Sequence, residues 1–144
     1  MSNNLLKGKR GIIFGALDEN SIAWKTALKV HEEGGAFTLT NAPIAMRMGK
    51  INELAKTCGA EVIPADATSE ADLTNLFTKS QEILGGKLDF VLHSIGMSPN
   101  IRKGKEYGDM NYEWYLKPLI SLHYHFIKYC RLAKSWMLLM STLQ

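Results

Sequence analysis

Short apolar runs and helically spaced apolar residues alternate along the N-terminal part of the chain. Residues 11–14 form an apolar run that ends at Gly15, a pattern typical of a buried strand. In residues 20–33 apolar side chains recur at helical spacing, and Gly34 and Gly35 follow as a helix stop. The same alternation predicts further strands over residues 36–40, 61–64 and 88–92, and further helices over residues 46–58 and from Thr68 or Ser69 to Leu84.

Two of these helices have well-defined apolar faces. The face of the first helix contains Ile22, Ala23, Ala27, Leu28 and Val30, and that of the last contains Leu73, Leu76, Phe77, Ile83 and Leu84. Thr68 or Ser69 is a suitable cap for the last helix, with Asp72 close to its third position, and Gly85 ends it. Because strand and helix alternate, we predict an α/β fold with a parallel sheet and helices on both faces.

The composition excludes several classes of protein. Hydrophobic residues make up 46% of the chain and charged residues 22%, as in soluble globular proteins. The net charge of +3 is small and basic residues are scattered among acidic ones, so no nucleic-acid partner is expected. No apolar segment is typical of a secretion signal or a membrane helix, and Cys58 and Cys130 fit free thiols in a reducing compartment. We therefore expect a cytoplasmic protein without a membrane partner.

The turn after the first predicted strand is the strongest candidate for a binding site. A strand that leads into a helix through small residues directs backbone N–H groups and the positive end of the helix dipole towards a phosphate. Gly15 allows the tight turn, Ser21 can cap the helix or donate to a pyrophosphate oxygen, and Ala23 keeps the helix close to the sheet. The usual G-x-G-x-x-G pattern is absent, so an ordinary helix start explains this turn equally well.

Two further segments follow predicted strands, where open α/β sheets bind their ligands. Asp66 comes after the third strand, and an acid at this place is also typical of a helix start. His93, Ser94, Ile95 and Gly96 follow the fourth strand, and Gly96 lets the backbone approach a ligand closely. A single histidine at such a place is more often structural, so we assign His93 no catalytic role.

Together these residues resemble one family. Gly15 with Ser21-Ile22-Ala23, Asp66 after the third strand, and the tetrapeptide His-Ser-Ile-Gly at 93–96 are similar to the enoyl-acyl-carrier-protein reductases of bacterial fatty-acid synthesis. These are divergent short-chain dehydrogenases/reductases, with G-x-x-x-x-x-S-x-A at the first turn in place of the usual glycines. The resemblance extends from about Leu6 to Lys117 at matching spacing.

The resemblance implies a Rossmann-like, doubly wound parallel sheet, of which this chain carries the first four strands and their helices. It implies NADH as cofactor and the reduction of the 2,3-double bond of an enoyl thioester carried by acyl carrier protein. It also implies a homotetramer for the full-length family, and a substrate pocket bordered by residues 97–108. Matched by position, Gly15, Ser21 and Ile22 would bind the pyrophosphate, and Asp66 and Ala67 would flank the adenine. Ser94, Ile95 and Gly96 would lie beside the nicotinamide ribose, and Asn41 is a further cofactor-binding residue.

The choice between NADH and NADPH depends on the end of the second strand. Thr40, Asn41 and Ala42 include no acid of the kind that often binds a ribose 2′-hydroxyl. Arg47 is near enough in sequence to contact a 2′-phosphate, although a solvated helix face is the simpler role for it. We expect NADH rather than NADPH.

The catalytic pair of this family, Tyr-x6-Lys, is absent from the sequence. No tyrosine is followed by a lysine seven positions later, so no catalytic residue is assigned and we expect this chain to be inactive alone. Tyr124 and Lys128 have the Tyr-x3-Lys spacing of ordinary short-chain dehydrogenases. They lie in a segment that does not resemble the family, and we interpret their spacing as coincidence.

Composition changes abruptly after Lys117. We assign residues 1–117 to the N-terminal part of a dinucleotide-binding domain. Residues 118–144 contain no Asp, Glu or Gly. If Lys117-Pro118 is encoded AAA-CCC after the loss of one adenine, restoring that base gives, with suitable codons, a family-like continuation, so we hypothesise that the tail is out of frame.

Three other interpretations of these residues are less consistent with the sequence. A stand-alone nucleotide-binding module would use the Gly15–Ser21 turn without hydride chemistry. A keto-reductase of the short-chain family would favour an Asn-Asn-Ala-Gly tetrapeptide at 93–96. A metal site at His123 and His125 lacks nearby ligands other than Cys130, so no metal is expected.

Overall fold

A computed structural model describes residues 3–95, 111–113 and 116, with the exception of the side chain of Met48. Four strands and four helices follow one another in residues 3–95. They are β1 (Arg10–Phe14), α1 (Ile22–Glu32), β2 (Ala36–Thr40), α2 (Pro43–Met48), α3 (Ile51–Cys58), β3 (Glu61–Val62), α4 (Glu70–Leu84) and β4 (Phe90–His93).

The strands form one parallel sheet with the order β3-β2-β1-β4. In this register Phe14, at the end of β1, lies between Thr40 of β2 and His93 of β4. The centre of β1 is fully buried, with Ile12 and Ile13 both 0% exposed, because helices cover both faces of the sheet. The predicted α/β architecture is thus confirmed for the described residues.

Each face of the sheet has its own apolar core. On one face, α1 and α3 pack on β1 and β2 through Ile13, Ala23, Trp24, Ala27, Val30, Phe37, Leu39, Ile51, Leu54, Ala55 and Cys58. On the other face, α4 packs on the sheet through Ile12, Phe14, Ile63, Ala65, Leu73, Leu76, Phe77 and Leu88. Burial in the first core raises the pKa of the Cys58 thiol, which keeps this cysteine protonated.

The predicted helix over residues 46–58 ends at Cys58 before Gly59, as expected, but the prediction of one continuous helix is wrong. The structure has two helices here, α2 and α3, and the chain is extended at Gly49 between them. Helical periodicity alone could not predict this break, because glycine is required at position 49 by a close contact with Leu17.

Several apolar positions of the predicted helix faces are not in the core. Ile22 is 74% exposed, and Leu28 and Ile83 are partly exposed, whereas Trp24 is buried without having been predicted. The cap of α4 is confirmed, because Ser69 Oγ accepts a hydrogen bond from the Asp72 N–H at 3.2 Å. Gly85 ends the helix in the left-handed conformation, as expected.

The two predicted strands at the ends of the sheet are shifted or shortened. β4 begins at Phe90 rather than at Leu88, which is nevertheless fully buried. β3 pairs with β2 through only Glu61 and Val62, and Pro64 follows. Among the helices of the described ranges, none has the length and apolar character needed to span a lipid bilayer.

A buried carboxylate ties the N-terminal segment to the end of α1. Glu33 Oε2 accepts hydrogen bonds from the backbone N–H groups of Asn3, at 3.0 Å, and Leu5, at 3.3 Å. Glu33 Oε1 lies 3.1 Å from Lys29 Nζ. The hydrogen bond from Lys29, followed by the one from Leu5, holds the pKa of Glu33 below its ordinary value. The ionised carboxylate therefore favours the folded chain.

This contact makes stability depend on pH. The Glu33 pKa is lowered on folding, so its contribution is complete above the ordinary glutamate value of about 4.3 and is lost as the pH falls through the lowered value. We expect Glu33→Gln to lower the urea midpoint at pH 7 and to flatten the loss of stability below pH ~4. Equal pH slopes for the variant and the parent chain would contradict this role.

A second buried contact joins α4 to the sheet. Thr38 Oγ1 and Ser80 Oγ lie 2.7 Å apart, and both residues are 0% exposed. Thr40 points to the same face of β2, two residues further on, but its buried hydroxyl has no hydrogen-bond partner in the described part of the chain. The two threonines therefore provide a matched pair for measuring what a satisfied hydroxyl contributes.

We expect Ser80→Ala to destabilise the fold by about 1–3 kcal/mol, because it leaves the Thr38 hydroxyl buried without a partner. The double variant Thr38→Val/Ser80→Ala should cost less than the sum of the two single variants. Thr40→Val serves as the control and should be neutral or stabilising by up to about 1 kcal/mol. Urea unfolding measures the change in free energy for Ser80→Ala, Thr38→Val, their double variant and Thr40→Val. Strict additivity of the changes at Thr38 and Ser80 would contradict the coupling.

Candidate functional site

The loops that follow β1, β2 and β3 meet at the carboxyl edge of the sheet. The Gly15 N–H donates to the Thr40 carbonyl oxygen at 3.1 Å, and the Ala65 N–H donates to the Asn41 carbonyl oxygen at 3.2 Å. The connection after β1 leads to α1 on one face of the sheet, and the connection after β3 leads to α4 on the other face, so the chain turns to opposite faces at this edge. Such a switch point opens a crevice in which open α/β sheets bind their ligands.

Gly15 brings the loop after β1 against the segment after β4. Its φ angle is +89°, and a Cβ atom here would overlap the carbonyl oxygen of Ser94 and lie 2.8 Å from its carbonyl carbon. Both the backbone conformation and the contact therefore require glycine. The sequence predicted a tight turn at Gly15, and the approach to Ser94 adds a reason that the sequence did not contain.

Ser21 holds the loop rather than capping the helix. It occupies the N-cap position of α1, but its side chain makes no capping hydrogen bond. Its hydroxyl instead donates to the Asp18 carbonyl oxygen at 2.7 Å and accepts from the Leu17 N–H at 3.3 Å. The single hydroxyl proton is thus engaged within the loop.

The first turn of α1 offers backbone donors at this edge. The N–H groups of Ile22 and Ala23 make no hydrogen bond within the described residues. Ile22 is 74% exposed, while Ala23 is fully buried against the sheet. Free N–H groups at the start of an eleven-residue helix, with the positive end of its dipole, form a site suited to an anion.

Asn41 connects the loops after β1 and β2. Its Nδ2 donates to the Ala16 carbonyl oxygen at 3.4 Å, and its Oδ1 accepts from the Ala42 N–H at 2.9 Å. Both polar groups of this predicted cofactor contact are therefore used to shape the crevice.

Asp66 and Ala67 lie at the start of the connection from β3 to α4. Asp66 Oδ1 accepts hydrogen bonds at 2.8 Å from both the N–H and the hydroxyl of Thr68. Asp66 precedes the N-cap residue of α4, Ser69, and so lies outside the first turn of this helix. Asp66 Oδ2 accepts none from the described residues, and the carboxylate is exposed. Ala67 packs against the core below α4.

The segment after β4 supplies the opposite side of the crevice. Ser94 and Ile95 are partly buried, and Ile95 packs against the core beneath α4. The His93 ring packs against Phe14, with ring centroids 6.4 Å apart, which supports the structural role expected for it. Gly96, residues 97–108 and the tail with His123 and His125 lie outside the described residues.

The α2–α3 junction also contacts this loop, which was not predicted from the sequence. The Lys50 N–H donates to the Leu17 carbonyl oxygen at 2.9 Å, and Lys50 Nζ lies 3.2 Å from Glu19 Oε1. No signal short of the fold itself pairs residue 50 with residue 17. Within the described ranges, no group of three or more His, Cys, Asp or Glu side chains is placed to hold a metal ion.

This sheet order and this crevice define the class of Rossmann-like α/β proteins. The family model described as Enoyl-(Acyl carrier protein) reductase matches residues 15–141. The chain belongs to the enoyl-acyl-carrier-protein reductase family. The match continues beyond Lys117 into the tail.

Individual relatives agree with this assignment. The enoyl-acyl-carrier-protein reductase [NADH] FabI of Aquifex aeolicus is 36% identical over 96 residues, which cover 66% of this chain and 35% of that protein. The FabI–NADH complex from Alistipes finegoldii is 51% identical with a TM-score of 0.82, and the match covers 93% of this chain and 48% of that one. The reductase of Bacillus cereus, with NADP+ and indole naphthyridinone, is 26% identical with a TM-score of 0.79, over 95% of this chain and 53% of that one. This chain therefore spans half or less of the length of the first two.

The contact of Gly15 with Ser94 can be tested by adding one methyl group. We expect Gly15→Ala to destabilise the fold by about 2–4 kcal/mol, from the positive φ angle and the overlap with the Ser94 carbonyl. Gly59→Ala is the matched control, since its φ angle is +62° but nothing lies within 4 Å of its Cβ position, so it should cost only about 1 kcal/mol. Equal shifts of the urea midpoint for the two variants would contradict the close approach.

Proposed function

We propose that this chain binds NADH at the carboxyl edge of its sheet, with the pyrophosphate at the start of α1. The observation that carries this proposal is the pair of N–H groups of Ile22 and Ala23, which make no hydrogen bond within the described residues, close to the turn at which Gly15 approaches the Ser94 backbone. The neighbouring loops supply groups that suit the rest of a dinucleotide.

The remaining contacts follow from the position of each residue. The free Oδ2 of Asp66 can accept a hydrogen bond from the adenine amino group, and the exposed side of Ala67 can pack on the ring. Ser94 and Ile95, with Gly96, would flank the nicotinamide ribose. Ser21 and Asn41 contribute through the loops they hold rather than through free hydrogen-bonding groups.

NADH remains the preferred cofactor in this proposal. No acidic side chain follows β2, and Arg47 on α2 is exposed and makes no ion pair with the described residues. The Bacillus cereus relative was crystallised with NADP+, so we propose Arg47 as the residue to vary when the two cofactors are compared.

The proposed reaction of the whole protein is the reduction of the 2,3-double bond of an enoyl thioester carried by acyl carrier protein. NADH, when bound, supplies a hydride to such a double bond. The residues of this chain would bind and orient the dinucleotide. The Tyr-x6-Lys pair that the family uses to stabilise the enolate is absent from these 144 residues, so we propose that they do not catalyse reduction alone.

Binding by this chain is the first test. We expect NADH fluorescence to change saturably on titration with the chain, and Asp66→Ala to weaken binding by roughly three- to tenfold through loss of the adenine contact. Asp72→Ala is unsuitable as a control, because Asp72 bonds to the Asp66 N–H. Glu82→Ala, an exposed acid at the far end of α4, is the better one and should leave the affinity unchanged. An unchanged affinity in Asp66→Ala would remove Asp66 from the site.

Catalysis is tested with a crotonyl thioester and NADH. We expect turnover by a longer, frame-corrected product and none by the present chain. Turnover by the present chain would show that the catalytic groups have been misassigned. NADH binding without turnover by either product would favour the alternative, a nucleotide-binding module.

We propose separately that residues 118–144 are translated out of frame. The family model extends to residue 141, so the tail retains some similarity to the family. Sequencing the Lys117–Pro118 junction decides whether a base is missing, and an intact frame would rule out the hypothesis.

A further inference from the structure

The junction between α2 and α3 lies directly against the loop of residues 17–21. Lys50 donates its backbone N–H to the Leu17 carbonyl oxygen at 2.9 Å. Lys50 is also the residue from which α3 starts, and the next residue, Ile51, is 1% exposed in the core. The loop is thereby attached to a helix that is itself fixed by packing.

Gly49 determines how closely the two segments approach. A Cβ atom at this position would lie 2.6 Å from the Leu17 carbonyl oxygen and 2.8 Å from Leu17 Cδ1. The φ angle of −114° is open to any residue, so the glycine is required by the contact and not by its conformation. A side chain at Gly49 must move Leu17 away from the junction.

Leu17 passes such a movement on to the start of α1. Its N–H donates to Ser21 Oγ at 3.3 Å, and Ser21 Oγ donates to the Asp18 carbonyl oxygen at 2.7 Å. Ser21 is the N-cap residue of α1, directly before the free N–H groups of Ile22 and Ala23. The peptide at Leu17 is therefore held by the junction on one side and by the helix start on the other.

The contact between the junction and the loop also involves charged side chains. The loop contains two acids, Asp18 and Glu19, beside the place proposed for a pyrophosphate. Lys50 Nζ lies 3.2 Å from Glu19 Oε1, and the hydrogen bond to Glu19 is the main cause that raises the pKa of Lys50. A lysine held at this place offsets the repulsion that Glu19 would exert on a bound anion.

We propose that Gly49 and Lys50 are positioning residues for the dinucleotide-binding loop, Gly49 through shape and Lys50 through charge. The proposal rests on the proposed function at this loop. Gly49 sets the position of Leu17 and hence of the first turn of α1. Lys50 neutralises Glu19 and so lets an anion approach these N–H groups.

The role of Gly49 in positioning the loop is tested first in the absence of nucleotide. Hydrogen exchange of the Leu17, Ser21 and Lys50 amides, which are hydrogen-bonded at this contact, should be faster in Gly49→Ala than in the parent chain, because the contact with Leu17 is lost. NADH affinity should fall by roughly tenfold, since the donors are no longer preorganised. Gly59→Ala, at the other end of α3 with open space around its Cβ, should leave both measurements unchanged.

The role in charge is tested by substitutions at Lys50. Lys50→Gln should weaken NADH binding by roughly two- to fivefold at low ionic strength, and the loss should fade in high salt. Lys50→Arg should retain the affinity, and Glu19→Gln should restore it in the Lys50→Gln background. Lys79→Gln, which removes an equal charge from an exposed position on α4, should have no effect.

The outcomes separate the two proposals. Unchanged amide exchange in Gly49→Ala, or faster exchange with unchanged affinity, would overturn the role of Gly49. A loss in Lys50→Gln that neither depends on salt nor is rescued by arginine would overturn the role of Lys50. If the parent chain binds no NADH, the proposed function fails, and the exchange measurement still decides whether Gly49 positions the loop.

Discussion

The site depends on one close contact, between the backbone of Gly15 and the carbonyl group of Ser94. β1 and β4 are neighbours in the sheet although about eighty residues separate them in the chain, and this contact keeps the segments that leave them together. A single methyl group at Gly15 would force these segments apart. The crevice exists because one residue has no side chain at the point where the two segments meet, and the loops after β2 and β3 are hydrogen-bonded around that point.

The elements that could be predicted from the sequence are those specified locally. β2 runs over the predicted residues, and Ser69 and Gly85 delimit α4 as expected, because a cap and a left-handed glycine act within one turn of the helix. The break at Gly49 could not be predicted, since its cause is Leu17, more than thirty residues away. Helical spacing also placed Ile22 with the core, whereas it is exposed at the first turn of α1.

Two of the predicted cofactor contacts have a role within the loops themselves. Ser21 and Asn41 were expected to contact a cofactor, but each uses its polar atoms on neighbouring backbone groups. The groups without a hydrogen-bond partner among the described residues include Asp66 Oδ2 and the main-chain N–H groups of Ile22 and Ala23. Every sequence contains main-chain N–H groups, so no motif can reveal by composition which of them stay free.

The two edges of the sheet differ in how well they can pair with a further strand, because β3 is short. Ile63 and Ala65 direct their N–H groups towards β2 and its following residue, so Pro64, which has no N–H, faces outward between them. A two-residue strand followed by such a proline is a poor template for another strand, and it protects that edge against intermolecular pairing. β4 has four residues and no proline, and it carries the half-buried apolar side chains of Phe90, Val91 and Leu92. Any strand that adds to these four, from the same chain or from another molecule, is therefore directed to the β4 edge.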